Sequence, residues 1–175
     1  MNESQPIIVT LQLDAKSDAF FQAQRRKYFP PQINYIGAHL TLFHNLPGPH
    51  FDDVLKIIGR CCAARKSFAL KITGLLKLGR GVAYKVEAQA LVELRAELAH
   101  EFDPWLIRQD RQGFRPHITV QNKVAPHEAV ALFDHLNTEF TPFSATAEGV
   151  QLWFYEGGPN RSGTWAPAGA IMFGE

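Results

Sequence analysis

Two tetrapeptides of one pattern limit what this chain can fold into: His-Leu-Thr-Leu at residues 39–42 and His-Ile-Thr-Val at residues 117–120. Polar and apolar residues alternate in both, which is typical of a strand that buries one face. In such a strand the His and Thr side chains share one face and the apolar side chains share the other. We therefore predict two half-buried strands, each of which presents one imidazole and one hydroxyl.

Chance does not readily produce this repetition. The chain contains 7 His, and 46% of its residues are hydrophobic. A shuffled chain of that composition would contain two such tetrapeptides in about 0.2% of cases. The four polar residues of the pair, His39, Thr41, His117 and Thr119, are therefore the candidate catalytic residues.

The first motif lies within a predicted series of alternating elements. Residues 7–13 favour a strand, and residues 16–28 favour a helix that ends before two prolines. The first motif strand is predicted at about 38–43. Apolar residues at helical spacing then predict an amphipathic helix over 51–62, and two alternating segments within 68–86 predict a hairpin.

The second motif is preceded by one further helix and followed by elements in the same order as the first. The preceding helix is predicted over 91–102, and Pro116 is expected to begin the second motif strand. Helical spacing recurs over 129–140, and two final strands are predicted around a turn at 157–160. The order strand, helix, hairpin thus occurs twice with an offset of 78 residues, which predicts an α+β fold of two pseudo-symmetric lobes around a cleft.

Bulk properties exclude several classes of protein. A chain of 175 residues is typical of one domain, so we expect residues 1–175 to form a single unit. No apolar run is long enough for a membrane span, and we expect a cytoplasmic monomer with no membrane partner. The net charge of +1 is typical of a protein that binds a short end or a nucleotide rather than long duplexes.

The paired motifs and the duplicated layout resemble the two-histidine (2H) phosphoesterases, and within them the 2′-5′ RNA ligase and RNA 2′,3′-cyclic phosphodiesterase group. This resemblance implies a bilobal fold of two antiparallel sheets flanked by helices, with both motifs in a central cleft. It also implies metal-independent chemistry on RNA ends or nucleotide cyclic phosphates, without a cofactor or an obligatory protein partner.

The chemistry of the four residues agrees with that implication. Opening a cyclic phosphodiester requires one group that takes a proton from water and another that protonates the leaving ribose oxygen. Histidine titrates near neutral pH and can do either. We predict His117 as the base, His39 as the acid and a 2′-phosphate as the product, with Thr41 and Thr119 donating hydrogen bonds to phosphate oxygens.

Three neighbouring residues have alternative interpretations. Phe43 is predicted on the face of His39, where it would stack on a base, although a core position is the alternative. Arg115 is predicted on the face of His117, where it would pair with phosphate, and an exposed or carboxylate-paired arginine is the alternative. Five residues beyond His39, His44 is expected on the opposite face as a hydrogen-bonded structural histidine, and a catalytic role is the alternative.

Two other functions use the same residues. A non-catalytic module could bind RNA ends or nucleotides in the cleft without turnover. A zinc-type or dinuclear hydrolase could use the several histidines, but neither motif has a nearby carboxylate or cysteine ligand, so no metal site is predicted.

Overall fold

The strands of the protein pair into one antiparallel sheet in a computed structural model that describes residues 5–157 and 163–174. In the first half of the chain the elements are β1 (Ile7–Leu13), α1 (Ala15–Tyr28), β2 (Thr41–Leu46), α2 (Phe51–Ala63), β3 (Phe68–Lys77) and β4 (Val82–Glu87). In the second half they are α3 (Gln89–Glu101), β5 (His117–Gln121), α4 (Pro126–Glu139), β6 (Phe143–Tyr155) and β7 (Trp165–Met172).

The long strand β6 joins the two halves of the sheet. The strand order is β2-β1-β6-β3-β4-β5, and β7 also pairs with β6. The start of β6 pairs with β3, whereas its later part lies between β1 and β7. The α+β class and the repeated order strand, helix, hairpin are confirmed. Of the predicted turn at 157–160, residues 158–160 lie outside the described residues.

The apolar patterns become buried faces. Strand β1 is buried at all but one of its residues, because it pairs with β2 on one side and with β6 on the other, and its side chains pack in the core. Helix α2 buries Val54, Ile58, Cys61 and Cys62, which recur at helical spacing. Helix α1 begins where Asp14 accepts a hydrogen bond from the Ser17 amide at 2.9 Å. None of the described helices is long and apolar enough to cross a membrane.

The two motif segments lie at opposite ends of the strand order. Strands β2 and β5 are therefore edge strands, and each has backbone groups that no neighbouring strand satisfies. Buried arginines satisfy part of this need. Arg95 donates to the Leu42 carbonyl at 2.6 Å, and Arg25 donates to the Thr119 carbonyl at 3.1 Å.

Each of these arginines crosses between the halves. Arg25 belongs to α1, which precedes β2 in the chain, yet it binds β5. Arg95 belongs to α3, which precedes β5, yet it binds β2. Because the two residues are only 5% and 7% exposed, they are held in place by these contacts rather than by water. The two edges of the sheet are thus fixed to helices of the opposite half.

Strand β2 is displaced and bulged relative to its prediction. It begins at Thr41 rather than near residue 38, although the Leu11 amide still donates to the Leu40 carbonyl at 2.9 Å. Its register with β1 shifts between the pairs Thr10↔Thr41 and Val9↔Phe43. An extra residue in one strand shifts the alternation of faces beyond it. Leu42 and Phe43 are consequently both buried, and the next two residues are exposed.

Replacing Arg95 by methionine should lower the free energy of unfolding by about 3–5 kcal/mol, because it leaves two carbonyls without their donor and the buried Asp110 carboxylate without its nearby cation. Urea denaturation measures this loss. The matched control is Arg60→Met, since Arg60 forms an exposed ion pair with Glu101 and its replacement should cost less than about 1 kcal/mol. Equal losses in the two variants would contradict the structural role of Arg95.

Candidate active site

A cavity of about 310 Å³ lies between the two sheet edges and brings the four motif side chains together. His39 and Thr41 line it from the β2 side, and His117 and Thr119 line it from β5. The segment 109–115 and helix α3 complete its wall. The other lining residues are Leu42, His44, Arg95, Gln109, Asp110, Gln112, Gly113, Phe114 and Arg115.

Both motif imidazoles are held by the same local contact. Nδ1 of His39 lies 2.8 Å from the Gly37 carbonyl oxygen, and Nδ1 of His117 lies 2.7 Å from the Arg115 carbonyl oxygen. A carbonyl can only accept, so Nδ1 is the protonated nitrogen of each ring. Nε2 is then the atom of each ring that is free to take up or release a proton.

The surroundings of His39 favour the neutral form of its imidazole. The ring of Trp165 packs against it with a centroid distance of 4.5 Å. The pKa of His39 is lowered from 6.5 to about 4, mainly by burial. The nearby charge of Arg25 contributes to this lowering, and the hydrogen bond to Gly37 opposes it. His39 is therefore neutral at pH 7.

The charges around the cavity favour an anion. Arg95 and Arg115 line it, and Asp110 is the single carboxylate among the described residues of its wall. Arg25 lies behind β5, where burial lowers its pKa to about 10, so it stays charged at neutral pH. Within residues 5–157 and 163–174, no group of three or more His, Cys, Asp or Glu side chains could hold a metal ion.

The prediction that Phe43 binds substrate is wrong. Its side chain is fully buried, at 0% exposure, with its ring 5.2 Å from that of Phe102. The Arg95 guanidinium lies 3.9 Å from the centre of the Phe43 ring. The bulge in β2 turns Phe43 away from the face of His39 and Thr41, so it belongs to the core.

The bulge also corrects the expectation for His44. Strict alternation predicts this residue on the face opposite to His39, but it lines the same cavity. Its Nδ1 lies 2.7 Å from Oδ1 of Asp110, whose side chain is 1% exposed. A third histidine is thus present in the cavity, and a buried carboxylate holds it.

Arg115 lies in the cavity wall and is exposed, as its position two residues before His117 predicts. The pattern does not reveal Trp165, Asp110 or Arg95 as parts of the site. All three reach it through tertiary packing, and sequence alternation carries no signal for such contacts. The adjacent pairs Leu42-Phe43 and His44-Asn45 do break the alternation and are the available sign of a bulge.

A hollow of about 260 Å³ adjoins the site and is lined by His39 together with Tyr35, Trp153 and Trp165. A larger hollow of about 790 Å³ lies between α1 and α4 and contains none of the four motif residues. The cavity between the motifs is the candidate active site, because there the groups able to transfer protons meet.

The chain belongs to the 2′-5′ RNA ligase superfamily, whose family model matches residues 13–159. The expected relation to 2H phosphoesterases is therefore confirmed. A comparison with curated proteins found no match by sequence.

Solved structures show the same fold. A protein of Thermus thermophilus has a TM-score of 0.71 at 20% identity and covers 97% of this chain and 99% of its own. Escherichia coli LigT, crystallised with 3′-AMP, has a TM-score of 0.66 at 19% identity over 98% of this chain and 99% of its own. A third structure, described as a phosphoesterase, has a TM-score of 0.66 at 16% identity, with coverage of 98% and 99%.

Replacing His39 by glutamine should alter how stability depends on pH. The unfolded chain protonates His39 near its ordinary pKa of 6.5, whereas the folded protein does so only near 4. As pH falls from 7 to 4.5, the titration of His39 therefore lowers the free energy of unfolding of wild type by about 2 kcal/mol. The His39→Gln variant lacks this titrating group and does not show this decrease. Urea denaturation at both pH values measures the difference.

The free energy of unfolding of the variant should thus rise relative to wild type as pH falls. His100→Gln, at an exposed site on α3, is the control and should track wild type. A constant difference between His39→Gln and wild type at the two pH values would show that burial does not depress this pKa.

Proposed function

We propose that the protein is a metal-independent phosphodiesterase that opens 2′,3′-cyclic phosphates of RNA ends or nucleotides and leaves a 2′-phosphate. The observation that carries this proposal is the meeting of His39 and His117, each tethered at Nδ1 and free at Nε2, in one cavity with Thr41 and Thr119. If the 5′-hydroxyl of a second RNA attacks the cyclic phosphate in place of water, the P–O3′ bond breaks in the same way and a 2′-5′ linkage forms, so 2′-5′ RNA ligation is a second activity of the same site.

The two threonines and the surrounding arginines serve the phosphate. Negative charge grows on the non-bridging oxygens as water adds to phosphorus, and the Thr41 and Thr119 hydroxyls donate hydrogen bonds to them. The positive charges of Arg25, Arg95 and Arg115 favour the same anion. Since these groups are positioned before substrate binds, little reorganisation accompanies the reaction.

The pKa of His39 supports an assignment of roles opposite to the one predicted from sequence. A neutral imidazole is ready to accept a proton, so His39 takes the proton of the attacking water. His117 is the other imidazole of the cavity, so it has the remaining task of protonating O3′ as the P–O3′ bond breaks. In ligation a 5′-hydroxyl replaces the water and the two tasks stay the same, whereas in cleavage of a 2′-5′ linkage microscopic reversibility exchanges them.

Aromatic side chains beside His39 supply the base contact that Phe43 cannot make. Tyr35, Trp153 and Trp165 share a hollow with His39. Unpaired RNA bases commonly stack on such rings. The LigT structure complexed with 3′-AMP shows that a protein of this fold accommodates an adenine nucleotide, which supports a nucleotide substrate here.

The alternative is a module that binds RNA ends or nucleotides without turnover. It would use the same cavity, and its anion-favouring charges are the observation in its favour. The two functions differ in whether product accumulates.

The deciding experiment is product analysis of a short RNA with a 2′,3′-cyclic phosphate end, incubated in excess EDTA. Wild type should yield a 2′-phosphate, and His39→Ala or His117→Ala should lower the rate by about 10²–10⁴-fold because each removes one proton-transfer group. His100→Ala, at an exposed residue that does not line the cavity, should leave the rate unchanged. Binding without conversion by wild type would favour the non-catalytic module.

A substrate with sulfur in place of the bridging O3′ tests the roles of the two histidines. A thiolate leaves without protonation, so loss of the general acid should matter little. We expect the defect of His117→Ala to shrink to less than about 10-fold on this substrate, while that of His39→Ala persists. Rescue of His39→Ala instead would restore the original assignment, with His39 as the acid.

A further inference from the structure

The third histidine of the cavity is anchored more firmly than either motif histidine. Asp110 accepts a hydrogen bond at 2.7 Å from Nδ1 of His44, and its carboxylate also accepts from the backbone amides of His44 and Asn45 at 3.0 and 3.3 Å. Arg95 donates to the Asp110 carbonyl at 2.7 Å. This network connects β2 with α3 and with the segment 109–115.

The exposure of the pair is uneven. The Asp110 side chain is 1% exposed, whereas that of His44 is 45% exposed. Backbone amides already secure the carboxylate, so the imidazole is not needed to satisfy it. Because Nδ1 faces the carboxylate, Nε2 is the ring atom left to meet a ligand. A proton on Nε2 makes the ring a cation with its charge balanced by Asp110, which is the form that binds an anion.

The position of His44 separates it from the scissile phosphate. It follows Thr41 by three residues, a distance of at most roughly 10 Å along a strand that is bulged at this point. Outside the four motif residues, the other polar side chains of the cavity wall are donors or amides: Arg95, Gln109, Gln112 and Arg115. The carboxylate of the wall, Asp110, is bonded to His44 itself. A second group of anion-binding side chains thus lies beside the four motif residues.

We propose that His44, positioned by Asp110, binds a second phosphoryl group of the substrate. This inference rests on the proposed function. It specifies the substrate class as nucleotides or RNA ends that carry a phosphate in addition to the reacting one, whether a 5′-phosphate or the next phosphodiester of the chain. His44 is a specificity-determining residue in this scheme, and Asp110 is its positioning residue.

A binding measurement tests the inference without requiring turnover. Calorimetry compares adenosine 3′-monophosphate with adenosine 3′,5′-bisphosphate, and wild type should bind the bisphosphate about 10- to 100-fold more tightly, as expected for one charge-assisted hydrogen bond. His44→Gln should lose this gain and leave the affinity for the monophosphate within about 3-fold. Glutamine can still donate to Asp110, so the variant should fold, which its thermal midpoint checks.

The control is His50→Gln. His50 is 47% exposed, lies near the carboxylate of Asp53 at 3.5 Å and is absent from the cavity wall, so it matches His44 in exposure and in having a carboxylate neighbour. This variant should keep the full preference for the bisphosphate. Equal binding of the two ligands by wild type, or the same loss in both variants, would overturn the inference.

Kinetics then separates the sources of the second phosphate. Three substrates are compared by kcat/KM: adenosine 2′,3′-cyclic phosphate, its 5′-phosphorylated form, and a dinucleotide with a 2′,3′-cyclic end. A His44-dependent preference for both larger substrates indicates that His44 binds either kind of second phosphate, and a preference for the dinucleotide alone indicates that it binds an internal phosphodiester; both results support the inference.

If wild type turns over all three substrates and His44→Gln lowers kcat/KM equally for each, the inference is overturned. If wild type turns over none of them, the proposed function is refuted, and the binding measurement alone decides whether His44 binds a second phosphate.

Discussion

The two halves of the structure are held together at the sheet edges by hydrogen bonds to two backbone carbonyls, those of Leu42 and Thr119. A curled sheet that ends in β2 and β5 leaves both strands with unsatisfied backbone groups, and these are the strands that carry the motifs. Arg95 and Arg25 satisfy the carbonyls of Leu42 and Thr119 from helices of the opposite half. Each bond fixes the position of one edge and also brings a positive charge close to the cleft. The architecture and the electrostatics of the site therefore have one source.

Periodicity predicted most of the elements because most of them are regular. Strand β1 and helix α2 have one residue pattern and one buried face throughout, and their predicted bounds agree with the structure to within a residue. Strand β2 does not. The alternation rule assumes an unbroken ladder, and the register shift between Thr41 and Phe43 breaks it. The rule therefore predicts the wrong face for the two residues that follow the shift, Phe43 and His44.

The residues of the site differ in the same way in how far the sequence predicts them. The two His-x-Thr pairs are predictable because each is a pattern of adjacent residues, and the structure brings them into one cavity. The residues that set the pKa values and orientations of these groups are not predictable from such a pattern. Arg25 lies 94 residues in sequence from the carbonyl that it binds, and His44 lies 66 residues from Asp110. Trp165, which desolvates His39, comes from the last strand of the sheet. Local patterns identify reacting groups, but their pKa values and orientations depend on packing between distant segments.

The bulge in β2 has a geometric consequence. In a regular strand, side chains on one face are separated by an even number of residues, so two hydrogen-bond donors on that face lie two or four residues apart in sequence. Thr41 and His44 are three residues apart and yet line one cavity. An odd interval of this kind is accessible only to a strand that carries an extra residue. The bulge thus gives the cleft a spacing between polar groups that substitutions in a regular strand cannot produce. An insertion or deletion in β2, rather than a change of residue type, would alter this spacing.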